Sequence, residues 1–194
     1  MKYFNKYKSI KFKKPLKSST QSEAAYTTAS YLRPPEPCPK GNDRCGFLKK
    51  RYEIEMECPP HKKIFIMIEF GNNSNIKKLI RAIKRSALTH KLKAILAEDK
   101  EYCTDLYCNI CLHMKTCKYG IAVFYKGSED KYNANVAYEL GFMEAEGKSC
   151  LLLLEKKLER LHTDLIGRIR KKFTFNNVAG YKKDIKKWIE SLSS

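Results

Sequence analysis

What this chain lacks narrows the field before any motif is read. No stretch approaches the roughly 18 uninterrupted apolar residues of a membrane span. The strongest apolar run, Ile64-Phe65-Ile66-Met67-Ile68, is closed by Lys63 on one side and Glu69 on the other. A membrane partner is therefore not expected. No apolar h-region follows the basic N-terminus, so a secretory signal is not expected either. Acidic residues are scarce: 21 Asp and Glu face 39 Lys and Arg over 194 residues, a formal net charge of +18. Tryptophan occurs once, as Trp188, yet nine Phe, twelve Tyr and a 43% hydrophobic fraction are enough to build a core. That composition excludes wholesale disorder. The expectation is a soluble, cytoplasmic protein with one domain and a small appendage.

The basic excess sits at the ends. Residues 1–60 carry 13 basic and 6 acidic side chains, residues 61–155 carry 15 and 11, and residues 156–194 carry 11 and 4. Lys2, Lys6, Lys8, Lys11, Lys13, Lys14 and Lys17 all precede the first acidic residue, Glu23. A tail of this kind attracts polyanions by counterion release, without regard to sequence. Its charges are lysines and not bidentate arginines, so a solubilising tail is the first reading and non-specific nucleic-acid binding the second. Residues 1–36 have no helical or strand period, and Pro34-Pro35-Glu36-Pro37 reads as a stiff linker. They are assigned as a basic, disordered tail and linker, mobile over residues 1–20. Residues 37–62 are a Cys-containing connector and residues 63–194 the domain.

Within that domain the pattern alternates. Residues 64–68 form an apolar run without polar alternation, as expected of a strand buried on both faces, and it ends at Gly71-Asn72-Asn73. Ile76, Leu79, Ile80, Ile83 and Leu88 recur at helical spacing over 74–90. A second strand is expected at 93–97, a helix at 104–117, a third strand at 120–125 and a helix at 135–146. That helix is opened by an Asn cap and closed by Gly147. A fourth strand follows at 149–154 and a basic helix at 181–192. Alternation of this kind predicts a parallel sheet with right-handed crossovers, hence an α/β three-layer sandwich of flavodoxin-like or Rossmann-like type. Ile66, Ile68, Ile121, Val123, Leu152 and Leu153 are its expected core. Ligands in such sheets lie beyond the carboxyl ends of the strands. There Gly71-Asn72-Asn73 and the stretch from Lys126 to Tyr132 should line a crevice.

The most informative segment runs Asn133-Ala134-Asn135-Val136-Ala137-Tyr138-Glu139-Leu140-Gly141-Phe142 and on to Gly147-Lys148 and the strand from Ser149. Glu139 lies one turn into a crevice-facing helix, where the positive helix end is expected to keep it ionised. An ionised carboxylate beside a sugar ring stabilises or covalently traps an oxocarbenium-like centre. Asn133 and Asn135 carry amides suited to ribose hydroxyls, and Gly141 is expected to allow close packing on the sheet. Glu69 ends the first strand and is either a second carboxylate or a loop-edge residue. Asp130 is another candidate. Tyr132 suits stacking on a base, whereas Tyr138 is expected to pack in the core.

This segment resembles the Asn-Pro-Asn-Val-x-x-Glu-Leu-Gly motif of TIR-like predicted nucleotide-binding proteins. It is also similar to the Glu-Leu-Gly helix of nucleoside 2-deoxyribosyltransferases and deoxynucleotide N-hydrolases. The likeness extends over about residues 63–173. It takes in the first strand, Ala97-Glu98-Asp99 and Asn109-Ile110, and departs at Ala134, at Ile68-Glu69-Phe70 and at Asn109. The resemblance implies a nucleotide ligand, with Glu139 as the catalytic carboxylate. Phe70, Gly71, Asn72, Asn133, Asn135 and Glu69 are then the substrate-binding set. It further implies an N-glycosidase that cleaves NAD or a related nucleotide and requires no cofactor. A non-catalytic nucleotide sensor and a nucleic-acid-binding protein with basic termini are the alternatives, and a homo-oligomer is compatible with either.

Eight cysteines remain. Cys38, Cys45, Cys58 and His61 form a spaced set that a zinc ion would stabilise in a segment without its own core, although the spacing is not that of a standard finger. Cys103, Cys108, Cys111 and Cys117, with His113 between them, are denser. Cys108 and Cys111 share a helical face. Buried small hydrophobes, or disulfides in a hyperthermophile, are the competing readings, and metal ranks behind them.

Overall fold

A computed structural model describes residues 46–69, 71, 73–126, 133–158 and 170–192. The expectations for the tail and linker of residues 1–36, for Cys38 and Cys45, and for Asp130 and Tyr132 lie outside these residues. The described elements are α1 (Phe47–Glu57), β1 (Lys63–Ile68), α2 (Ser74–Thr89), β2 (Lys93–Ile95) and α3 (Leu106–Thr116). They continue with β3 (Tyr119–Phe124), α4 (Ala134–Ala145), β4 (Ser149–Glu155), β5 (Lys171–Phe173) and α5 (Val178–Ser191). No helix among the described residues is long and apolar enough to cross a membrane.

Strand pairing follows from the apolar runs. A strand without polar alternation must be covered on both faces, and β1 and β3 are buried at all six of their positions. The sheet has the order β2-β1-β3-β4-β5 and every pair is parallel. Ile64, Ile66, Ile121, Val123, Leu151 and Leu153 point to one side, onto Ile76, Leu79 and Ile83 of α2 and Tyr181, Ile185 and Ile189 of α5. Phe65, Met67, Ala122, Phe124, Leu152 and Leu154 point to the other, onto α1, α3 and α4. The protein is thus an α/β three-layer sandwich of flavodoxin-like strand order. Burial of each large aliphatic side chain in these two cores contributes roughly 1.5–3 kcal/mol. All six residues expected to be buried are buried.

Boundaries moved where local hydrogen bonding overrides the apolar pattern. β2 ends at Ile95 because the Asp99 carboxylate accepts the Leu96 N–H at 2.8 Å and turns 97–99 into a single 3-10 turn. α4 is capped by Asn133 and not Asn135: the Asn133 Oδ1 accepts the N–H groups of Asn135 (2.9 Å) and Val136 (3.3 Å). Its C-terminus closes as expected at Gly147, whose φ of 70° suits glycine. The Gly147 N–H then reaches the Glu144 carbonyl and the Lys148 N–H that of Met143, a Schellman motif. Two elements had no counterpart in the sequence reading. α1 lies within the connector of residues 37–62 and buries Phe47 and Ile54, with Leu48 packed beside them. β5 has three residues, of which only Phe173 is buried.

Candidate functional site

All five strands run the same way, so their carboxyl ends share one edge. The chain leaves β1 toward α2 on one face of the sheet and leaves β3 toward α4 on the other. Between β1 and β3 the order reverses, and at such switch points ligands of open α/β sheets bind. Glu69, Gly71 and Asn73 follow β1, Tyr125 and Lys126 follow β3, and Asn133 starts α4. Phe70 and Asn72, of the substrate-binding set, lie outside the described residues, as does the stretch 127–132.

Tyr125 ties the two sides together. Its hydroxyl donates to the Glu69 carbonyl at 3.2 Å, and a Cβ on Gly71 would sit 3.5 Å from that hydroxyl oxygen. Burial, reinforced by the negative charges of Glu69 and Glu155, pushes the Tyr125 phenol up to about 12, so it remains a donor. Glu155, only 5% exposed at the end of β4, accepts the Lys126 N–H at 2.9 Å and so holds the exit of β3. The sequence reading did not single out Glu155 or Tyr125. The only trace of the first was a carboxylate directly after an apolar run.

Glu139 is half-buried on the second turn of α4, and α4 packs over β3, β4 and β1. No hydrogen bond or ion pair to a described residue engages its carboxylate. Burial alone pushes the carboxyl up to about 7. The expectation that the helix end keeps it ionised is therefore corrected: the helix field is typically worth 0.3–1 kcal/mol, and desolvation outweighs it. At neutral pH both protonation states are populated. Asn135 is exposed in the first turn, and the cap bonds of Asn133 occupy its oxygen and leave its NH₂ group to donate. Gly141 does not mediate close packing. It is exposed, and a Cβ there would meet nothing within 4 Å. Tyr138 is corrected as well. It is 56% exposed, and its hydroxyl lies 3.3 Å from that of Tyr107, linking α4 to α3 beside Glu139.

Other resemblance positions serve the scaffold. Asn109 is buried: its Oδ1 accepts the Tyr102 N–H at 2.8 Å and its Nδ2 donates to the Ala97 carbonyl at 3.0 Å. Asp99 pairs with Lys84 at 2.7 Å. Lys148 donates to the last carbonyls of α3, at Met114 and Lys115, and pairs with Glu146. His113 is fully buried, stacks on Phe65, donates through Nε2 to the Lys100 carbonyl at 3.0 Å, and is held neutral by burial.

The cysteines behave as core residues. Cys103, Cys108, Cys111 and Cys117 are buried in the α1–α3–α4 core. Burial raises Cys117 to about 12 and Cys150 to about 11, which leaves them poor nucleophiles. Cys58 is a half-buried free thiol and His61 is exposed. Among the described residues, no group of three or more His, Cys, Asp or Glu side chains is gathered closely enough to hold a metal ion. No family model matches this chain, and no curated protein matches its sequence.

Proposed function

We propose that the protein binds a nucleotide in the β1–β3 crevice and cleaves its N-glycosidic bond, with Glu139 as the catalytic carboxylate and NAD or a related nucleotide as substrate. The observation that carries this reading is the state of Glu139: a desolvated carboxyl, without a partner among the described residues, on the helix beside the switch point. Carboxylates that serve a scaffold are satisfied, as Glu155 is by the Lys126 N–H. A desolvated carboxyl raised toward neutrality, at the carboxyl edge of a parallel sheet, is a candidate for a group that meets a ligand.

The chemistry follows from the leaving group. In NAD the bond joins the anomeric carbon to a cationic ring nitrogen. When it breaks, the electron pair goes to that nitrogen and neutral nicotinamide departs, so no proton donor is required. A neutral purine needs one. The positive charge left on the sugar is what an ionised Glu139 stabilises or captures. In this reading the NH₂ of Asn133 and the side chain of Asn135 take ribose hydroxyls. Glu69 and Gly71, which follow β1, line the other side of the site in this reading.

Incubation with NAD, followed by chromatography for nicotinamide, tests the reading. Glu139→Gln keeps the shape and removes the charge, so the rate should fall on the order of 100–1,000-fold. Equal rates for wild type and variant would overturn the assignment. Binding of NAD without release of base would point to the sensor instead.

A further inference from the structure

We propose that the outer face of α2 and α5 is a docking surface for the phosphate backbone of a nucleic-acid duplex, independent of the crevice chemistry. The sandwich is electrically two-sided. On one side of the sheet, α2 and α5 together carry nine Lys and Arg and only two acidic residues, Asp184 and Glu190. On the other side, α1, α3 and α4 carry four basic and five acidic residues. Among the described helices, the basic excess therefore belongs to one layer of the sandwich.

Geometry converts that excess into rows. Apolar residues of both helices face the sheet, so Lys78, Arg81, Arg85, Lys182, Lys183 and Lys186 project into solvent. α2 and α5 pack side by side and both run antiparallel to the strands, so the rows are nearly parallel. Successive charges four residues apart stand roughly 6 Å from one another along each helix. Of the nine basic residues, Lys84 is held by Asp99 at 2.7 Å and Lys186 approaches Glu190 at 3.7 Å. Among the described residues, no ion pair engages the other seven. α2 has no acidic residue at all.

The same surface argues against other polyanions. Single strands are gripped by stacking bases on exposed aromatic rings. This face has none, since Trp188 and Tyr181 turn inward against the core. A membrane surface calls for apolar side chains to insert. Here the exposed ones are Leu88, at the end of α2, and Val178, at the start of α5, outside the rows. A rigid, charged, apolar-free face fits a duplex backbone, bound without sequence preference.

The test is fluorescence anisotropy of the full-length protein with a mixed-sequence DNA duplex of about 20 base pairs, titrated between about 50 and 200 mM salt. The wild type should bind with a log–log salt slope of about −4 to −6, at about 0.9 per phosphate neutralised. Lys78→Gln/Arg81→Gln/Arg85→Gln/Lys182→Gln/Lys186→Gln should weaken binding at least about tenfold and flatten that slope. Gln at the seven tail lysines from Lys2 to Lys17 should have the smaller effect. If the five-fold variant is misfolded by circular dichroism, the pairs Arg81→Gln/Arg85→Gln and Lys182→Gln/Lys186→Gln carry the test. A wild-type slope near zero, or helix variants that bind like wild type, would overturn the proposal. So would tighter binding to a single strand of the same length or to phosphatidylserine vesicles.

Discussion

Glu139 is a carboxyl whose energetics are set by burial alone. Its ordinary value is 4.5 and the fold raises it to about 7. A raised acid binds its proton more tightly when folded. Stability is therefore greatest below 4.5 and is lost as pH rises to about 7, after which it is level. The loss is on the order of 3 kcal/mol. Glu139→Gln has no charge to desolvate. At about pH 8 it should melt several degrees above wild type, at about 2–4 °C per kcal/mol for a chain of this size, and at about pH 4 the two should coincide. Equal melting temperatures at both pH values would mean that the buried charge is not felt. Activity should move the other way if, as proposed, the ionised form is the competent one. With NAD, kcat/KM should rise with pH and level off above about 7. A profile that instead falls across this range would assign Glu139 to proton donation and favour a neutral purine as leaving group.

At the scale of the element, α4 carries the proposed catalytic residue. Its first turn depends on Asn133, whose side-chain oxygen satisfies two of the N–H groups a helix start leaves open. Asn133→Ala should destabilise the protein by about 1 kcal/mol in urea unfolding, and Asn133→Asp or Asn133→Ser should restore most of it. If Asn133 also donates to ribose, Asp and Ser will recover stability without recovering KM, since neither supplies an NH₂ group. Full recovery of both would confine Asn133 to capping. The contrast between Asn133 and Asn109 has the same origin. Both occupy positions that the nucleotide-binding resemblance singles out, but both polar ends of Asn109 are consumed by Tyr102 and Ala97. It holds the β2–α3 connection and is buried away from any ligand.

At the scale of the whole molecule, the sheet order sets the hierarchy of stability. β1 and β3 are flanked by strands on both sides and by helices on both faces, whereas β2 and β5 are three-residue edges. Amide exchange should therefore be slowest in β1 and β3 and fastest among strands in β2 and β5. Protection in β5 equal to that in β1 would show that the edge is covered by more than the described residues supply.

The chain by itself determined its repeating architecture, because that depends on neighbours within a turn or two of the sequence. Apolar runs such as Ile64–Ile68 and Ser149–Leu154 had to be covered on both faces. Residues at helical spacing, from Ile76 to Ile83, had to pack on one side. Short crossovers between them left a parallel sheet as the outcome. The motif from Asn133 to Gly147 placed α4 to within one residue at each end. What only the tertiary structure decided is whatever depends on groups distant along the chain. α1 and β5 are held by one or two anchors whose partners lie far away. Tyr138 reaches out to Tyr107, 31 residues earlier, and not into the core. The charge of Glu139 depends on how much water the folded layers remove. The gathering of basic residues on a single face depends on which helices share that face. Periodicity is local, but desolvation and Coulomb fields act through space, so the elements could be read from the sequence and the electrostatics could not.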